Sequence, residues 1–337
     1  MYAVSSDGML HVMGLQSGKD LQKPAPFLPA NSRWSDPVAI DTTMYAATSG
    51  RCGGAPDGIF AIDLESPEKP VKSWKTNGGG VVGAVAFTTE GTLIAAIGPG
   101  TTTGEGRANA IVALDAATMQ VKDWYTQPDA EFVTGPTILR SGDRELVAAA
   151  TKDGRVLLLD ATSLGGANHA TPLFASARLT APAGAIAADA LAAWQEGTPG
   201  ATGTSAGTSW VLVPVSGRPA GATATNGPVN AGAVVALKVA GAGGALSLQP
   251  AWTSHDLTSP ATPIIVNGVV FALSAGRAAT PAVLHAYEGA TGKALWSSQK
   301  AMTAPASPAS FWSALSQIYV GGTDGTVHAF GFLDERR

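Results

Sequence analysis

The sequence predicts an all-β chain folded as a β-propeller of four-stranded antiparallel blades, and three observations predict it. Gly (41) and Pro (22) make up about a fifth of the 337 residues and are spread throughout, too many for long helices. Short apolar runs alternate with Gly-rich punctuation, which is the pattern of short strands. These runs recur as one unit spaced roughly 43 to 64 residues apart, room for four strands with loops and far longer than a leucine-rich or ankyrin unit. With 45% hydrophobic residues, such a chain buries a substantial core and is not disordered.

Each unit runs from a short apolar strand (B) through a polar or Gly turn to a second strand (C) ending near Asp. A Thr-Gly-Lys-like turn and a strand (D) bearing an aromatic residue follow. The clearest copy is Val269–Leu273, then Leu284-His285-Ala286-Tyr287-Glu288-Gly289-Ala290-Thr291-Gly292-Lys293-Ala294-Leu295-Trp296. Met44–Ala47 leads to Ile59–Asp63 and Trp74, and Leu93–Ile97 leads to Ile111–Asp115 and Trp124. Leu146–Ala150 leads to Val156–Asp160, with Phe174 in the aromatic place, and a degenerate copy runs from Trp210–Val213 to Val234–Leu237 and Trp252. Tyr2–Val4 with Met9–Val12, and Ile318–Gly322 with Thr326–Phe330, complete seven visible copies. A preceding strand (A) is expected at Val81–Phe87, Phe132–Leu139 and Thr262–Val266.

The unit has a physical logic. The aspartate closing strand C (Asp63, Asp115, Asp160) accepts hydrogen bonds from the next turn, and a glycine such as Gly292 supplies the positive φ that turn needs. The aromatic of strand D (Trp74, Trp124, Phe174, Trp252, Trp296) is a large flat surface suited to docking between neighbouring blades. A single blade cannot bury both its faces, so stacking stabilises each one.

Ala286–Trp296 resembles the tryptophan-docking repeat of the PQQ (pyrroloquinoline quinone)-binding-like propellers, the quinoprotein alcohol dehydrogenase-like superfamily; Ala61–Asp63 with Trp74 and Ala113–Asp115 with Trp124 match it less completely. The resemblance covers essentially the whole chain and concerns structural residues. It implies either a PQQ-dependent alcohol or sugar dehydrogenase, or a fragment of one, with quinone and calcium, or a scaffold without cofactor. The same superfamily includes an outer-membrane assembly lipoprotein in the scaffold role. The dehydrogenases usually carry a vicinal disulfide against the quinone, which the single cysteine, Cys52, cannot form. No metal ligand or catalytic Asp can be placed on a matching motif, so none is carried over and no cofactor is predicted. Family resemblance also sets the expected location, the periplasm or cell exterior of a bacterium.

Residues 1–337 read as a single propeller domain whose first copy lacks strand A and whose last lacks strand D. We therefore expect a preceding N-terminal segment of at least two strands, up to a whole eighth blade with an export signal. The chain itself opens Met-Tyr-Ala-Val-Ser-Ser-Asp-Gly, with no basic stretch before an apolar one and hence no signal peptide. The longest apolar candidate, Ala183–Trp194, is too short for a transmembrane span and is broken by Asp189. A formal net charge of −4, 14% charged residues and no Lys/Arg run leave no electrostatic footprint for nucleic acid. One cysteine rules out an intramolecular disulfide, a cysteine-rich zinc site and a C-x-x-C-H haem attachment.

The remaining candidate chemistry is sparse. Gly203-Thr204-Ser205-Ala206-Gly207 matches G-x-S-x-G, but it lies in a Gly/Thr/Ala-rich loop with no strand–turn–helix elbow. Five histidines show no ligand spacing. His11, His285 and His328 recur at one strand C position and are expected to be solvent-facing or hydrogen-bonded. Trp34, Trp194, Trp210 and Trp312, in or near strands A and B, are expected in core packing. Gly98–Gly106 lacks the Lys-Ser/Thr and helix of a phosphate loop and reads as a long hairpin loop; Cys52, in the equivalent loop one copy earlier, reads as inert. Since propeller faces gather loops from every blade, a protein or small-molecule ligand is expected at one loop face. The segments 50–57, 98–108, 196–208 and 215–231 vary most in length and are the expected carriers of that function.

Overall fold

An apolar strand without polar alternation must be covered on both faces, and that requirement organises this protein. The computed structural model describes residues 1–35, 37–127, 129–197, 207–221, 225–241 and 246–331. The chain divides into two compact units, Met1–Pro136 with Ala161–Pro172, and Thr137–Asp160 with Leu173–Arg337.

Among the described residues the first unit holds three antiparallel sheets and the second four. In the first unit, one sheet pairs β1 (Tyr2–Val4), β2 (Met9–Val12) and β3 (Ala25–Pro26). The next contains β4 (Arg33–Trp34), β5 (Val38–Ile40), β6 (Thr43–Ser49), β7 (Gly58–Asp63) and β8 (Val71–Lys75), with β4 and β5 both lying along β6. The third runs β9 (Val81–Phe87), β10 (Thr92–Ile97), β11 (Ala110–Asp115) and β12 (Val121–Thr126). Those of the second unit are β13 (Thr137–Ser141), β14 (Arg144–Ala150), β15 (Val156–Asp160) and β16 (Phe174–Ala175); then β17 (Ala185–Ile186), β18 (Ala192–Gln195), β19 (Ser209–Ser216), β20 (Gly232–Ala240) and β21 (Ser247–Thr253). They continue with β22 (Ile264–Val266), β23 (Val269–Ser274), β24 (Val283–Glu288) and β25 (Ala294–Ser297), and end with β26 (Ala306–Ala314), β27 (Gln317–Gly322) and β28 (Val327–Gly331). Strand follows strand as a meander in chain order, except that β4 and β5 share β6 and β17 and β18 share β19.

Sheets stack face to face. Tyr45, Ala47, Ile59 and Ala61 of β6 and β7 share one core with Leu93, Ala95, Ile97, Ala110, Val112 and Leu114 of β10 and β11. In the second unit, Leu212, Val234 and Ala236 pack on Val270, Ala272 and Tyr287, and Leu273 and Leu284 pack on Ile318 and Val320. Two expected A strands are shorter than predicted. The Phe132–Leu139 candidate becomes Thr137–Ser141, and Thr262–Val266 becomes Ile264–Val266. Pro136 and Pro263 stand at these boundaries, and a residue without an N–H cannot donate to the ladder. Phe132 is instead a buried anchor against the Tyr125 ring. Among the described residues no helix is long and apolar enough to cross a membrane.

One pair of loops is zipped by glycine. The Gly98–Arg107 loop returns hydrogen bonds to residues 76–80: Arg107 N–H to Thr76 O, Thr103 N–H to Asn77 O, Gly79 N–H to Arg107 O and Gly98 N–H to Gly80 O. The two backbones approach so closely that side chains are excluded. A Cβ on Gly79 would lie 1.9 Å from Gly98 O, and one on Gly106 2.1 Å from Asn77 O. The glycine richness of this segment serves backbone contact. We expect Gly79→Ala to destabilise by about 2–3 kcal/mol through overpacking against backbone. Gly91→Ala, with a φ of 75° but open space around it, should cost only about 1 kcal/mol in urea melts. Equal costs would show that the loops separate freely.

Candidate functional site

The register between strands C and D decides what each repeat aromatic does, because a one-residue slip moves a side chain to the other face of the sheet. Trp252 pairs with Ala236, and Trp296 with Ala286, each followed by a register shift in the ladder. Trp74 pairs with Ile59, and Phe174 with Leu158. Trp252 is 1% exposed and packs in the core between its own sheet and the next. Its Nε1–H donates to Gly289 O at 2.8 Å, and a Cβ on Gly292 (φ 70°) would fall 2.5 Å from its ring. Asn226 ties the same turn down, donating from Nδ2 to Gly292 O and Thr253 O. Trp296 occupies the same register but is 47% exposed, with only the edge of Phe330 beside its ring.

Trp124 departs from the pattern. It pairs with Val112, an odd offset from Asp115 where Trp74 and Phe174 sit at even offsets from Asp63 and Asp160, and so faces back toward β6 and β7, while Tyr125 takes the opposite face and is fully buried. Burial pushes the Tyr125 hydroxyl up to about 12. Trp74 faces the same gap as Trp124 from the other side. Between β8 and β12 lies a cavity of about 620 Å³, lined by Ser73, Trp74 and Lys75 of β8, Val121 and Trp124 of β12, and Asn77, Glu105 and Arg107 of the zipped loops.

Trp124 is held rigidly. The His169 ring stacks on one face at 3.8 Å, and the Arg107 guanidinium carbon lies 4.3 Å from the ring centroid. His169 Nδ1 lies 3.0 Å from Asp123 Oδ1 and 3.1 Å from Trp124 O; both are acceptors, so that nitrogen carries the proton. Asp123 also accepts from the Trp124 and Leu164 N–H groups, fastening residues 161–172 onto β12. Arg107 Nη1 donates to Glu105 O and Gly106 O, while its buried Nε has no partner among the described residues.

The strand C acids act locally. Asp63 accepts from Glu65 and Ser66 N–H, and Asp115 from the Thr118 N–H and hydroxyl, contacts that hold both carboxyls below the usual range. Asp160 is ion-paired with Arg144 of the neighbouring strand. His11 bonds Asp20 and Ser5, and His328 bonds Thr326. His285 departs from the expectation of a solvent-facing or hydrogen-bonded residue: it is half-buried, with its ring against His255 and Tyr287. The Tyr287 hydroxyl accepts from His255 N–H at 3.2 Å. Trp194 and Trp210 stack in parallel within the core, whereas Trp312 is exposed, lying flat on Tyr319 and not in core packing. Cys52 is exposed. In the G-x-S-x-G segment, residues 203–206 lie outside the described residues. Sequence reasoning marked 98–108, which includes Arg107, as a function-bearing loop, but did not connect it with Lys75 and Asn77 across the gap or place His169 on Trp124. The Gly-rich runs on either side of the gap were the available signal.

No family model and no curated protein matches the sequence. Solved structures do match over nearly the whole chain. The quinohemoprotein alcohol dehydrogenase from Comamonas testosteroni aligns with a TM-score of 0.59 at 16% identity, over 95% of this chain and 60% of its own length. A europium-containing methanol dehydrogenase gives 0.58 at 12% identity, over 97% and 70%. Sqt1 from Chaetomium thermophilum, bound to the N-terminus of ribosomal protein L10, gives 0.58 at 12%, over 98% and 80%. The chain is a β-propeller. At these identities the likeness is one of fold, and this propeller spans less than two thirds of the quinohemoprotein it matches. Calcium needs six to eight oxygen ligands rich in carboxylate; among the described residues no three His, Cys, Asp or Glu side chains gather to hold a metal. With one cysteine there is no vicinal pair to face a quinone.

Two outcomes follow from this geometry. Trp252→Ala should cost about 3–5 kcal/mol in urea unfolding, as large buried aromatics do, and Trp296→Ala less than about 1 kcal/mol, as exposed positions do. Burial, helped by His255, pushes His285 down to about 4 from its ordinary 6.5. The unfolded chain therefore takes the proton first, so this stabilisation is whole above about pH 6.5 and is lost as pH falls toward 4. Unfolding curves at pH 7 and pH 4.5 should show a loss on the order of 2–3 kcal/mol that His285→Gln lacks. Parallel losses would remove His285 as the cause.

Proposed function

We propose that this propeller is a non-catalytic binding scaffold, one domain over residues 1–337, that holds a small-molecule ligand in the cavity between β8 and β12. The single observation that carries this reading is the preorganised cavity. Its loops are locked by backbone hydrogen bonds, its tryptophan is clamped between His169 and Arg107, and its volume suits a small organic molecule. A protein segment reaching the same loop end is the alternative partner; the propeller Sqt1, which holds the N-terminus of another protein, is a precedent for that mode. The repeat resemblance supports a place in the periplasm or outside the cell.

A thermal-shift panel of sugars, sugar acids, sugar phosphates, amino acids and nucleotides tests the reading. We expect at least one compound to raise the melting temperature of the wild type and not that of Arg107→Gln. A panel with no effect, or shifts indifferent to Arg107, would remove the cavity as a ligand site. Titration with PQQ and calcium, followed by tryptophan emission, serves as the counter-test. We expect no saturable quenching; calcium-dependent quenching at micromolar quinone would reinstate the dehydrogenase.

A further inference from the structure

We propose that the cavity between β8 and β12 binds a small polyhydroxylated monocarboxylate, a sugar acid of the uronate type, with Arg107 as the receptor for its carboxylate. This inference rests on the cavity reading above and names the ligand class.

The first argument is charge. Two cations, Lys75 and Arg107, and one anion, Glu105, line the cavity, so its formal charge is that of a single cation. One carboxylate balances it. A phosphate monoester, carrying close to two negative charges, would overshoot and place the excess beside Glu105.

The second is geometry. Arg107 is pinned through Nη1 to the carbonyls of Glu105 and Gly106, at 2.6 and 3.2 Å, and its guanidinium lies over Trp124. Among the described residues Nε and Nη2 have no acceptor. Nη2 carries two N–H groups free to donate to a carboxylate oxygen, while Nε is shielded from solvent.

The third is shape. Both faces of Trp124 are covered, by His169 and by Arg107, so it offers a ligand its edge and no stacking platform. A planar base that needs a ring on each side finds none. Trp74 and Val121 supply apolar walls for the C–H face of a sugar ring, while Ser73, Asn77 and Glu105 supply donors and acceptors for hydroxyls.

Calorimetric titration of the full chain with D-glucuronate, D-glucose and D-glucose 6-phosphate tests the class. We expect saturable binding of glucuronate, and at least about tenfold weaker binding of glucose and of glucose 6-phosphate. Glu105→Gln should narrow the gap for the phosphate. Arg107→Gln should weaken glucuronate by at least about tenfold while leaving glucose unchanged. Should that variant melt early, Lys75→Gln, at an exposed position, replaces it with a smaller loss expected. Glucose binding as tightly as glucuronate, or the phosphate more tightly, would overturn the monocarboxylate class and leave the cavity reading standing. Glucuronate bound equally by the wild type and both variants would overturn both. If none of the three compounds binds, the sugar-acid inference fails, while the wider thermal-shift panel still decides the cavity.

Discussion

Everything in this propeller depends on strands that tolerate water on neither face. The central strands are apolar at nearly every position, Leu93–Ile97 and Ala110–Leu114 being buried throughout. Such a sheet gains burial only when another sheet covers each side. Within each unit successive sheets therefore stack, and stacked twisted sheets diverge toward their outer strands. The outer gaps must be filled by something large, which is the physical reason for an aromatic residue on the last strand of each unit.

The same gap is treated in two ways. Between the sheets of Trp252 and Tyr287, the indole fills the space and bonds the glycine turn of the next sheet. Between β8 and β12, the register carries Trp124 to the opposite face and leaves Tyr125 buried behind it. Two tryptophans then look into one gap from both sides, and an Arg-bearing loop overhangs it. A packing position becomes a cavity through one residue of register. Asp123 stabilises the outcome, because its carboxylate gathers the Trp124 and Leu164 N–H groups and the His169 ring into one small network.

Functional sites on repeat scaffolds often lie where the repeat departs from itself, since regular positions are committed to packing. The Gly98–Arg107 loop is such a departure. Its glycines let backbone meet backbone, which is a different use from the positive φ required of Gly292 in the docking turn. Rigid walls reduce the entropic cost of binding, and a guanidinium already fixed on an aromatic face loses little freedom when it meets an anion.

The sequence by itself determined the apolar B and C strands, the repeat and the propeller fold, because apolar runs of strand length, glycine turns and a recurring aromatic are local signals. It also marked 98–108 as a segment apart from the repeat. It did not reveal that Trp124 faces the other way from Trp252, since the face depends on which C-strand residue lies opposite, a property of pairing and not of composition. Nor did it show His285 against His255, or His169 flat on Trp124, contacts between residues dozens of positions apart. Only the tertiary structure decided those, because side-chain partnership across stacked sheets is set by register and sheet spacing, and neither is written in any single stretch of chain.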